Sequence, residues 1–136
     1  GSIFAGDATP FVIQQRLDAV TAELMVEVWA RDAQDLKMAA LSLTYPAQSY
    51  HLVEAEYAGG LGEKDAVSAI IPHAPQVYLG AAIVHYDERA GVDGDCELFR
   101  LVFRPARRLY QDRCHWRLTG MRMRSLFPDR WTRKIS

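Results

Sequence analysis

The side chains in this chain with the most chemical potential are four histidines, two cysteines and one crowd of carboxylates. The histidines, His51, His73, His85 and His115, stand singly. No His-x-x-x-His or Glu-x-x-His spacing sets two metal ligands on one helix face, so each reads as an ordinary strand or loop residue. The chain has no Gly-x-Ser-x-Gly elbow, no Gly-x-x-x-x-Gly-Lys phosphate loop and no Cys-x-x-Cys pair, and so no motif for nucleophilic catalysis or a resident cofactor. Asp87, Glu88, Asp93 and Asp95 crowd one loop. Hard oxygen ligands in a flexible loop suit calcium, which keeps that ion open, but Asp93-Gly94-Asp95 departs from the twelve-residue calcium loop and a solvated turn is the plainer reading.

Two further residue classes could bind rather than react. Trp29, Trp116 and Trp131, with Tyr45, Tyr50, Tyr57, Tyr78, Tyr86 and Tyr110, would stack on sugar rings if exposed and coplanar, with Trp29 or Tyr78 as the candidates; aromatics in a β protein more often fill the core. Charge is unevenly placed. Residues 1–100 carry 6 Lys+Arg against 15 Asp+Glu, and residues 101–136 carry 10 against 2. A basic end of this kind (Arg104, Arg107, Arg108, Arg113, Arg117, Arg122, Arg124, Arg130, Arg133 and Lys134) could contact phosphates. With so acidic a remainder, a basic strand lying against an acidic sheet is the better reading, and no nucleic-acid partner is expected.

The elements that must position these residues are strands. In Gly91–Pro105, a Gly-Asp turn signal precedes Phe99, Leu101 and Phe103 in alternation with Arg100, Val102 and Arg104, the pattern of a half-buried strand that Pro105 ends. Leu24, Val26, Val28 and Ala30 alternate with Met25, Glu27 and Trp29 in a second such run. Further strands are expected from Pro10 to Arg16, Met38 to Thr44, Ser49 to Glu56, Ala66 to Ile71, Gln76 to Tyr86 and within His115 to Leu126. Arg31–Asp35, Pro72–Pro75 and Asp87–Asp95 read as the intervening turns and loops. A helix across Gln14–Leu43 is the competing reading, because Leu17, Val20 and Leu24 are spaced by three and four, but the alternation from Met25 to Ala30 interrupts it. Short strands separated by turn signals, without βαβ alternation, predict an all-β antiparallel sandwich. Gly1-Ser2 reads as a cloning scar, and residues 3–136 suit one domain. No apolar run approaches the ~18–20 residues of a membrane span.

Asp35-Leu36-Lys37-Met38-Ala39-Ala40-Leu41-Ser42-Leu43-Thr44-Tyr45-Pro46, followed by Tyr50–Glu56 and Gly59-Gly60-Leu61, resembles the cohesin pattern. There, an Asn- or Asp-Leu pair feeds a leu-x-leu-x-tyr-asp strand, and a second strand leads to glycine before an apolar residue. Gly94–Arg104 is similar to the family's gly-x-gly-x-leu-x-x-leu-x-phe strand, with Cys96 in place of the second glycine and Pro46 in place of the usual Asp. The resemblance implies a jelly-roll-like sandwich of about nine strands. It also implies an extracytoplasmic, non-catalytic scaffolding or recognition module that meets a protein partner, dockerin-like or another surface protein, through one sheet face. Carbohydrate-binding modules share the architecture, which keeps polysaccharide binding as an alternative; a structural spacer in a larger surface protein is the second. The expected contact residues are Glu27, Trp29, Tyr78, His85 and Arg100, aromatic and charged types suited to interface anchors. An extracytoplasmic site would favour a disulfide between Cys96 and Cys114, unless the two face opposite sides of the sheet.

Overall fold

The structure, a computed structural model, describes residues 11–85, 87–106 and 121–126. Eight strands run through them: β1 (Phe11–Leu17), β2 (Leu24–Leu36), β3 (Met38–Thr44), β4 (Tyr50–Tyr57), β5 (Ala66–His73), β6 (Gln76–Ile83), β7 (Val92–Pro105) and β8 (Arg122–Ser125). They form two four-stranded antiparallel sheets, ordered β1-β2-β7-β4 and β5-β6-β3-β8. The fold is the expected all-β sandwich, with eight strands among the described residues rather than nine. No helix among them is long and apolar enough to cross a membrane.

The period of two places the core. Leu24, Val26 and Val28 of β2 lie opposite Phe103, Leu101 and Phe99 of β7, and all six are buried. From the other sheet, Ala39, Leu41 and Leu43 of β3 and Val77, Leu79, Ala81 and Ile83 of β6 close onto them. Tyr45 packs its ring 4.9 Å from that of Phe103, and Tyr57 meets Phe99 edge-on at 6.1 Å. The Tyr57 hydroxyl donates to the Gly62 carbonyl at 2.7 Å and accepts from the Leu61 N–H at 2.8 Å. Those two bonds hold buried Leu61 as a plug beneath the Gly59–Gly62 turn. Val20, which a helix would have placed on its apolar face, is 93% exposed in the β1–β2 turn.

The segment expected to be the Arg31–Asp35 loop is instead the end of β2, and it pairs with β7 through successive bulges. The reason is a set of tertiary clamps. Asp32 and Asp35 adopt positive φ, 51° and 53°, which Asp tolerates better than most residues and which a bulge can use. Asp95 accepts the Asp32 N–H at 2.8 Å and Asp93 the Asp35 N–H at 2.8 Å, while Asp35 accepts the Gly91 N–H at 2.5 Å. Gly91 has to be glycine, because a β-carbon there would collide with the Asp35 backbone. The expected Asp87–Asp95 loop is therefore shorter, and β7 begins at Val92.

β5 also runs further than expected, through Pro72 to His73. It is the edge of its sheet, where a missing N–H costs no ladder bond. β6 stops at Ile83 rather than Tyr86, and Tyr86 lies outside the described residues. So do Cys114, His115, Trp116 and most of the basic end, and with them the expected disulfide. Cys96 is buried, and desolvation, with the nearby Asp95 charge, pushes its thiol pKa up.

Candidate functional site

A strand that faces a core with one side shows its other side outward, and the two sheets use that outward side differently. On β1-β2-β7-β4, the outward positions carry charge; on β1, β2 and β7 the charges are paired, while Glu54 and Glu56 of β4 stand exposed beside Val102 and Arg100. Arg100 donates to both oxygens of Glu97, at 2.8 and 2.7 Å. Those hydrogen bonds and the Glu97 charge raise the Arg100 pKa, with smaller contributions from Glu56 and Glu27. Arg16 lies 3.5 Å from Glu27 and Arg104 lies 2.9 Å from Glu23. Trp29 donates its indole N–H to Glu27 at 3.0 Å, and the Arg31 guanidinium sits 5.2 Å from its ring centroid. Arg31 in turn reaches Asp95 at 3.1 Å.

Three of the five expected contact residues, Glu27, Trp29 and Arg100, thus share this face. The other two do not join them. Tyr78 is on the outward side of the opposite sheet, its hydroxyl donating to Gln76 at 2.7 Å. His85 is exposed in the turn after β6, with φ at 58°. Trp29 and Tyr78 stand on opposite sides of the sandwich, so they form no coplanar stacking pair, and one face of the Trp29 ring is covered by Arg31. In the acidic loop, Asp93 and Asp95 spend oxygens on the β2 bulges. Among the described residues, no three His, Cys, Asp or Glu side chains come together in a way that could hold a metal ion.

The outward side of β5-β6-β3-β8 is different in kind. Register puts Val67, Ala69 and Ile71 of β5 beside Ala82, Gly80 and Tyr78 of β6, and these beside Met38, Ala40 and Ser42 of β3. Val67 and Ile71 are each 59% exposed. Between Val67 and Met38 runs a shallow trough of about 260 Å³, floored by Ala40, Ala69, Gly80 and Ala82. Small side chains here let another surface approach the sheet closely. Gly80 shows that the fold itself does not demand this. A β-carbon there would come no nearer than 3.8 Å to the Ala69 carbonyl oxygen, an ordinary contact. A glycine inside a strand weakens it, and one that no turn or clash requires marks a place where something else comes close.

Of the expected contact residues, Tyr78 alone lies on this face; the apolar positions around it were not among them. A signal was present: β6, Gln-Val-Tyr-Leu-Gly-Ala-Ala-Ile, is uncharged and nearly apolar in both alternation phases, where a sheet with one wet side should alternate with polar residues.

The same architecture occurs in solved cohesin modules. The seventh ScaB type I cohesin of Pseudobacteroides cellulosolvens superposes with a TM-score of 0.56 at 11% identity, over 70% of this chain and 63% of that one. The cohesin module of a family 33 glycoside hydrolase from Clostridium perfringens gives 0.51 at 12% identity, over 71% of each chain. A non-cellulosomal cohesin from Archaeoglobus fulgidus gives 0.49 at 20% identity, over 61% of this chain and 54% of that one. This chain therefore spans only 54% to 63% of the length of the Archaeoglobus and Pseudobacteroides proteins. No protein-family model matches the sequence, and no curated protein does. The domain is cohesin-like in fold.

Proposed function

We propose that this domain is a non-catalytic recognition module that docks a partner protein on the outward side of β5-β6-β3-β8. The observation that carries the reading is the uncharged, small-residue trough lined by half-exposed Val67, with half-exposed Ile71 further along the same face of β5. An apolar sheet face left open on a soluble domain is the ordinary mark of an interaction surface. The cohesin-like fold supports the same reading, with a dockerin-like module or another surface protein as partner and a secreted or cell-surface assembly as setting. The paired charges across β2 and β7 on the opposite face suit those strands for water rather than for a partner.

A pull-down from the secreted fraction of the source organism tests this, run with the wild type, Gly80→Leu, Val67→Asp and Trp29→Ala. The expected result is a protein partner that the wild type and Trp29→Ala recover and that Gly80→Leu and Val67→Asp lose. Loss on Trp29→Ala alone would move recognition to the other sheet. Glycan binding with no protein partner would overturn the proposal in favour of a carbohydrate-binding module, and no recovery of either would favour a spacer.

A further inference from the structure

Beside the apolar trough, at the β8 edge, the same face changes character. Arg122 and Arg124 alternate with Met123, which packs inward against the core, so both guanidinium groups project from the outward side. Both are exposed, and neither has a salt-bridge or hydrogen-bond partner among the described residues. Together with Ser42, Thr44 and Gln76 they line a hollow of about 370 Å³. Register sets Arg124 directly beside Ser42 and Arg122 beside Thr44. Ser42 is 4% exposed and is the buried polar side chain of the described residues; within them its hydroxyl has no hydrogen-bond partner. Buried hydroxyls are ordinarily satisfied, and one left open beside two unpaired arginines calls for an acceptor from outside. Among the described residues, these arginines are the charged side chains on the outward positions of this sheet, against the several carboxylates of the other one.

Resting on the docking reading above, we propose that the partner is a protein segment that lays an apolar surface in the trough and sets an Asp or Glu carboxylate in the Arg122–Arg124 corner. The two guanidinium groups would donate to the carboxylate, and the Ser42 hydroxyl would complete its hydrogen bonds. Two cations at one edge of an otherwise uncharged face also fix polarity, because a partner docked end for end would leave its carboxylate over Val67 and Ala82, without a donor.

The test uses the whole chain and a display library of constrained peptides. The wild type should enrich peptides that combine an apolar cluster with Asp or Glu, and changing that acid to Gln or Asn in a selected peptide should weaken binding about tenfold. Arg122→Glu with Arg124→Glu, two changes at exposed positions, should keep the wild-type melting temperature and select Lys or Arg in the acid's place. Gly80→Leu should enrich nothing. Apolar peptides without an acidic excess, or an acidic excess that survives the double reversal, would overturn the acidic-partner inference while leaving the docking face in place. A wild type that enriches no more than Gly80→Leu would overturn the docking reading itself. Binding of polygalacturonate that is lost in the double reversal but indifferent to Gly80→Leu would assign the corner to an acidic polysaccharide and overturn the inference.

Discussion

The two outward faces of this sandwich are built on one core by the same alternation, yet they are opposite in chemistry. Across β2 and β7, charged side chains neutralise one another: Glu97 holds Arg100, Glu23 holds Arg104, and Glu27 holds Trp29 and Arg16. Across β6 and β3 the corresponding positions are Tyr78, Gly80, Ala82, Met38 and Ala40. A satisfied charged surface is expensive to strip of water and gains little when covered. An open apolar surface gains on being covered, by roughly 25 cal/mol per Å² before the costs of association. The difference teaches that one alternation of inward and outward residues can leave one face of a sandwich engaged by its own ion pairs and the other uncharged and exposed.

The comparison can be broken most severely at what the faces share. Phe103→Ala should cost about 3–5 kcal/mol, read as a large fall in denaturation midpoint, because Phe103 is fully buried between the sheets against Tyr45. An unchanged midpoint would mean that the inward and outward sides are assigned the wrong way round. Two glycines sharpen the contrast next. Gly91→Ala should destabilise by about 1–3 kcal/mol, since its methyl group collides with the Asp35 backbone. Gly80→Ala should be neutral or stabilising by about 0.4–1 kcal/mol, because the fold has room for that methyl group. If Gly80→Ala proved as costly as Gly91→Ala, the glycine would be structural and the trough would lose its best sign of a partner.

Smaller effects separate the faces by function. Glu97→Gln should lower the denaturation midpoint only slightly, by weakening the pair with half-exposed Arg100, and should leave partner binding unchanged. Ile71→Asp should do the reverse, with stability within about 0.5 kcal/mol of wild type and binding abolished.

The smallest effect expected is on pH dependence. The backbone N–H of Asp32, followed by Arg31, holds the Asp95 carboxyl below its ordinary 3.8, and the N–H groups of Val20 and Thr21 lower Asp18 in the same way. A carboxylate depressed in the folded state contributes stability that is present above 3.8 and is lost as pH falls through the folded value. Acid unfolding should therefore soften in Asp95→Asn when followed by chemical denaturation across that range. An acid limb identical to wild type would remove Asp95 from the account.

Much of the fold was legible in the residues because burial on one side of a strand writes itself as a period of two. Leu24-Val26-Val28, Val77-Leu79-Ala81-Ile83 and Phe99-Leu101-Phe103 carry that period without interruption, and all ten are buried. Residues 31–35 were opaque for the opposite reason. Their polar run resembles a loop, and it pairs as a strand only because Asp93 and Asp95, some sixty positions later, accept its amide hydrogens. No local pattern records a partner so distant in the chain. The candidate site lay between these cases. That β6 is apolar in both phases was visible, but an apolar outward side can be covered by another layer or left open, and only the assembled sheets show Val67 and Ile71 exposed beside it. Likewise the sequence determined that Glu27, Trp29 and Arg100 could serve as anchors, and only the tertiary structure decided that they are engaged by Arg16, Arg31 and Glu97. Availability for binding is a property of what a side chain's neighbours leave unused, and those neighbours are brought together by folding.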